Sequence, residues 1–149
     1  MNANWFEVDV RRIRIDEYGR ELRVSEIYLL DAMSYTEAES RIIREMESIT
    51  SGDFWITRLK KSNVTEVVES TDANDDRWYK AKVAIIDADK VSGREKRSFL
   101  YYLVAASDVS RALENLNKAL ETFMMPWKVV SVSDSHVSDI FPYVAEGED

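Results

Sequence analysis

The sequence predicts an α+β protein made of tandem duplicated strand–strand–helix–strand units, each with a short further strand. Mostly antiparallel sheet and a pseudo-two-fold relation between the units are expected. Three observations carry this. Apolar residues alternate with period two in paired runs and then switch to helical spacing. That succession of patterns occurs twice. Equivalent residues also align colinearly over most of the 149 residues with one insertion.

The alignment starts with Trp5-Phe6-Glu7-Val8-Asp9-Val10 against Trp78-Tyr79-Lys80-Ala81-Lys82-Val83. Ile13 then meets Ile86, Asp16 meets Asp89, and Gly19-Arg20-Glu21 meets Gly93-Arg94-Glu95. Tyr28-Leu29 meets Tyr102-Leu103, Ala38 meets Ala112, Ile56 meets Val129 and Val64 meets Val137. The acidic, turn-rich run Glu69–Asp76 separates the copies. The first repeat is therefore placed at 1–70, a linker at 71–77, and the second repeat at 78–149 with an acidic tail.

Within the first repeat, Phe6, Val8 and Val10 alternate with polar residues and predict a strand with one buried face. Ile13 and Ile15 continue the apolar series out of phase, which predicts a β-bulge near Arg11-Arg12. Asp16–Gly19 supplies a turn, and Val24 to Leu30 the returning strand. Ser34-Tyr35-Thr36-Glu37 is a capping box, in which Ser34 and Glu37 satisfy free amides at a helix start. Ala38, Ile42, Ile43 and Met46 form the helical stripe behind it. Ser51-Gly52-Asp53 ends that helix, Phe54 to Leu59 predict a third strand, and Val64, Val67 and Val68 a short fourth. In the second repeat the hairpin turns at Ser92-Gly93 and Asp108 caps the helix. Ala112, Leu113, Leu116 and Leu120 form its stripe, Met125-Pro126 interrupts, and Trp127 to Val132 resume strand.

Three segments, Glu26–Ile42 and the openings Trp5–Val8 and Trp78–Val83, resemble the signature of the domain of unknown function 4494 family. The resemblance covers nearly the whole chain. It implies a small cytoplasmic protein of gut bacteria or their phages, and it brings no activity or catalytic residues to carry over.

Composition narrows the chemistry. Cysteine is absent, which excludes disulfides, thiol nucleophiles and thiolate metal sites. No apolar run reaches the roughly 18 residues of a membrane helix, and no basic-then-apolar leader opens the chain, so a cytoplasmic protein without membrane contact is expected. The one histidine, His136, sits in Ser133-Asp134-Ser135-His136 and reads as a solvated loop residue. The acid pairs Asp87/Asp89 and Asp75/Asp76 lack the spacing of a calcium loop, and four glycines form no phosphate-binding loop. No enzyme, no metal and no cofactor is expected.

Charge points elsewhere. The net charge is −8, yet Val10–Val24 carries +2 and Trp78–Leu103 carries +3, leaving −13 on the rest. Trp78, Lys80 and Lys82 share one strand face. Rings for stacking beside cations for phosphate are what single-strand binders use. Arg11, Arg12, Arg14, Trp78, Lys80, Lys82, Arg94, Lys96 and Arg97 are the candidate contacts for single-stranded DNA or RNA. Arg58, Lys60 and Lys61 form a further basic cluster, and Trp5 and Trp78 are expected as core anchors. Lysines and arginines on a hairpin also protect an edge strand from pairing. The alternative is a protein–protein adaptor or inhibitor of phage or bacterial origin, working through an exposed sheet edge or the acidic tail Ala145–Asp149. Oligomeric state stays open.

Overall fold

Alternation through Phe6, Val8 and Val10 produces a long strand, β1 (Asn4–Ile15), which turns back as β2 (Glu21–Ala32) in the computed structural model; it describes residues 4–142. The turn is local chemistry. The Asp16 carboxylate accepts from the amides of Tyr18 (2.9 Å) and Arg20 (2.8 Å), and Gly19 takes the left-handed conformation at φ 77°. Helix α1 (Tyr35–Ile49) follows, its first turn capped by Ser34 Oγ, which accepts from the Glu37 amide at 3.1 Å. Then come β3 (Phe54–Lys61) and the three-residue β4 (Glu66–Val68).

The second repeat has the same grammar: β5 (Arg77–Ala88), β6 (Glu95–Ala106), α2 (Val109–Leu120), β7 (Trp127–Asp134) and β8 (Val137–Phe141). Asp89 repeats the role of Asp16, Gly93 that of Gly19 at φ 71°, and Asp108 caps α2 by accepting from the Arg111 amide at 2.7 Å.

Each helix covers one face of its sheet. Phe6, Val8, Val10, Tyr28, Leu30 and Ala32 meet Ala38, Ile42 and Met46 of α1. In the second unit Tyr79, Ala81, Val83, Ile85, Tyr102 and Val104 meet Ala112, Leu116 and Leu120 of α2. These residues are at most 5% exposed, so each unit builds a dry core from its predicted stripes. The β1–β2 register is continuous from Asn4↔Ala32 to Ile15↔Glu21. There is thus no bulge in the β1–β2 pairing at Arg11-Arg12. Ile13 and Ile15 simply lie on the face away from the helix. The irregularity falls on the other side of β1, opposite Asp9/Val10, where Thr57 of β3 is the extra residue. Its counterpart in the second unit lies opposite Lys82/Val83, where Val130 is extra.

Sheet order brings a feature with no local signal in the sequence. The two four-stranded sheets run β3-β1-β2-β8 and β4-β6-β5-β7. The last strand of each repeat lies in the sheet of the other: β8 pairs parallel with β2, and β4 pairs parallel with β6. The compact units consequently divide at Ser62/Asn63 and His136/Val137, whereas the sequence repeats divide at 70 and 78. The acidic linker is also tied down. The Asp75 carboxylate, 1% exposed, accepts from Ser70 Oγ (2.5 Å), Arg111 Nε (3.2 Å) and Asn115 Nδ2 (3.2 Å). The Ser70 hydroxyl first, and then Arg111 and Asn115, hold its pKa below the ordinary aspartate value.

Candidate nucleic-acid interface

Away from the bulges, period-two alternation sorts strand residues onto the helix side of a sheet or the face away from the helix, its open side. On β5, Tyr79, Ala81, Val83 and Ile85 are spent on the α2 core, so Trp78, Lys80, Lys82, Ala84 and Ile86 take the open side. Cross-strand partners share a face. Lys80 stands opposite Leu103 and Ser133, Lys82 opposite Tyr101 and Ser131, Ala84 opposite Phe99 and Lys128, and Ile86 opposite Arg97. From Trp78 to Ile86 and across β6 and β7, this face carries Lys80, Lys82, Lys128 and Arg97 with no aspartate or glutamate among those positions.

The cations and rings interlock along the diagonal. Lys82 Nζ lies 4.3 Å from the Phe99 ring centroid and Lys80 Nζ 6.0 Å from that of Tyr101. Among the described residues neither lysine has a carboxylate within ion-pair distance. Ala84, Leu103 and Ala105 on the same face are buried. The accessible strip therefore runs through Lys80, Lys128, Ser131, Ser133, Phe99 and Arg97, with Lys82 half-buried among them.

The other predicted contacts are dispersed. Arg11 is exposed on the open side of β1. Arg12 and Arg14 project from the helix side, and Arg12 is paired with Glu26, whose hydrogen bond raises the arginine pKa further. Lys96 faces the helix side, across from Asp87, and Arg94 sits in the turn, where its carbonyl accepts from the Asp89 amide at 2.9 Å. The nine residues thus do not form one surface: Trp78, Lys80, Lys82 and Arg97 share a face, while Arg12, Arg14 and Lys96 lie on helix-side faces. Trp5 and Trp78 belong to neither helix-side core; both are half-buried on open faces.

Equivalent positions of the first sheet have opposite character. Where the second has Lys80 and Lys82, the first has Glu7 and Asp9, with Asp31 across from Trp5. Lys60 meets Glu7 at 3.1 Å and Arg58 stands opposite Asp9. The basic cluster Arg58, Lys60 and Lys61 thus lies on a strand whose neighbours carry acids. Phe99, Tyr101 and Lys128 were not among the predicted contacts. The alternation that placed Lys80 and Lys82 would have found the two rings once the hairpin register was fixed by Gly93.

Grooves lie elsewhere as well. One, of about 440 Å³, sits where Arg12, Arg14 and Glu21 meet Ser51, Gly52 and Asp53. Another, of about 360 Å³, borders Ser70, Asp72, Arg111 and Lys118. Both mix charges of either sign. Among the described residues no group of three or more acids and histidines is placed to hold a metal ion. His136 is exposed, its ring nitrogen Nδ1 3.9 Å from Asp134. Among the described residues no helix is long and apolar enough to cross a membrane. The tail Ala145–Asp149 lies outside the described residues.

The sequence profile of the domain of unknown function DUF4494 matches residues 4–143. The chain belongs to the DUF4494 family. No curated protein and no solved structure matches it. Membership covers both repeats and β8, so the reciprocal strand arrangement lies wholly within the stretch that defines the family here.

Proposed function

We propose that this chain is a non-catalytic, cytoplasmic binding protein of a bacterium or its phage, and that it holds single-stranded DNA or RNA on the open face of its second sheet. The supporting observation is the strip itself: Lys80, Lys82, Lys128 and Arg97 interleaved with Phe99 and Tyr101, with no carboxylate opposite the stretch from Trp78 to Ile86 and Glu95 as the first one beyond it. Phosphates would lie on the ammonium and guanidinium groups, releasing counterions, and bases would stack on Phe99. Ser131 and Ser133 add hydroxyl donors beside the lysines. The overall charge of −8 makes extended duplex a poor ligand, and a strand with unstacked bases a better one.

Fluorescence anisotropy with a labelled mixed-sequence oligonucleotide, as DNA and as RNA, tests this. Four phosphate contacts predict log affinity falling against log salt with a slope of about −3. The Lys80→Glu/Lys82→Glu protein should roughly halve that slope and weaken binding at least tenfold while keeping its melting temperature. No binding at micromolar protein in low salt removes the proposal. It would shift weight to the adaptor reading, which draws on the outer strands β3 and β7 and on the half-exposed Val130 of β7.

A further inference from the structure

The slot beside β2 is occupied by β8, which follows the whole second unit in sequence, and several contacts within the slot hold it there. Ile140 stands opposite Leu29 and Phe141 opposite Leu30 in parallel register. The Phe141 ring stacks on Tyr28 with centroids 5.2 Å apart, and Arg41 Nη2 donates to the Phe141 carbonyl at 3.1 Å. The only connection to the preceding unit is short. Ser135 is fastened to the Trp78 carbonyl through its hydroxyl (2.7 Å) and its amide (3.3 Å), and Val137 already pairs with Ile27. His136 alone lies between these two anchors. It sits at φ 61°, the only positive φ among the described non-glycine residues, a conformation strained for a side chain with a β-carbon.

We propose that the β2 slot is a strand-exchange site, and that its second occupant is β8 of another copy of this chain. A β8 segment from a second molecule is chemically identical and remakes the register, the Tyr28 stack and the Arg41 hydrogen bond. The closed and exchanged forms then share these contacts of the slot. Extending the hinge releases the left-handed His136, which favours the exchanged form; a tight, strained connection is the usual prelude to such exchange. The same exchange is already made inside the chain, since β4 leaves its own repeat to sit beside β6.

The absence of cysteine makes a clean test. Ile27 and Val137 are register partners, at a spacing a disulfide spans, so Ile27→Cys/Val137→Cys reports which copy supplies β8. Tagged and untagged forms of this full-length variant are mixed, concentrated under reducing conditions and warmed below the melting transition. After dilution and oxidation they are run on a denaturing gel. Cross-linked heterodimers that increase with protein concentration, and that decrease when His136→Gly relaxes the closed hinge, are the expected result. Intramolecular cross-links alone at every concentration overturn the proposal, as does a dimer seen by ultracentrifugation whose 27–137 bonds are all within one chain. Should the cysteine variant not fold, the unmodified protein refolded from denaturant at high concentration should give a dimer that persists on dilution. A monomer under those conditions overturns the proposal equally.

Discussion

A lysine's worth on this surface depends on which way its strand pleats. Lys80 and Lys82 escape neutralisation because their neighbours on the open side are rings, alanine and serines, whereas Arg12, two positions from a core valine, is drawn to Glu26. Arg14→Glu should therefore leave oligonucleotide affinity within about twofold of the parent, while Phe99→Ala should weaken it by about 1–3 kcal/mol, the usual worth of one stacked base. Anisotropy titration of the two variants side by side checks the contrast. Asp75 illustrates the opposite design, a carboxylate enclosed by donors. Its pKa lies below the unfolded value, so the folded state gains stability above about pH 4 and loses it as pH falls through the native pKa. Asp75→Asn should lower the melting temperature by several degrees at pH 7, and its melting temperature should fall less between pH 5 and pH 3 than the parent's. Equal losses in thermal melts would contradict this. The sequence revealed the charges of these residues but not their neighbours. Glu26 lies fourteen residues from Arg12 and Asp75 thirty-six from Arg111, and no local pattern links such pairs.

At the level of elements, short-range chemistry did most of the work, and it was readable. The caps Ser34 and Asp108, the stripes ending at Met46 and Leu120, and the turns at Gly19 and Gly93 each use contacts within a few residues. Replacing Leu116, wholly buried in the α2 stripe, by Ala should cost about 2–5 kcal/mol. Removing the Ser34 hydroxyl by Ser34→Ala should cost about 1 kcal/mol. Chemical denaturation measures both, and a reversed order would argue against the core assignment. The bulge was misplaced because alternation records the face of a residue and not the partner strand at which register slips. The fourth strands were harder still. β4 has three residues and β8 five, and their parallel partners are supplied by the opposite repeat, so duplication alone left their destination open.

For the whole molecule the reciprocal placement of β4 and β8 makes each sheet dependent on residues from both repeats. Truncation after His136 should strip β2 of its neighbour and uncover Tyr28 and Leu29, both buried in the intact chain. Hydrogen exchange on the shortened protein should show protection lost along β2 and α1 while β5, β6 and α2 retain theirs. Loss spread evenly over both units, or none in the first, would contradict the topology. The arrangement also bears on affinity. The basic strip and α2 belong to a unit whose strands come from one continuous stretch, 63–136, so β8 contributes no strand to the sheet that carries the proposed ligand surface.

Translation delivers residues in order, and here that order collides with the topology. The first sheet to emerge from the ribosome cannot be finished until Phe141 has left the exit tunnel, because its edge is filled by β8. The later unit, contiguous in sequence, is complete earlier. The second unit should thus mature before the first, the reverse of the usual amino-terminal-first sequence, with the β2 edge waiting uncovered until β8 has been made.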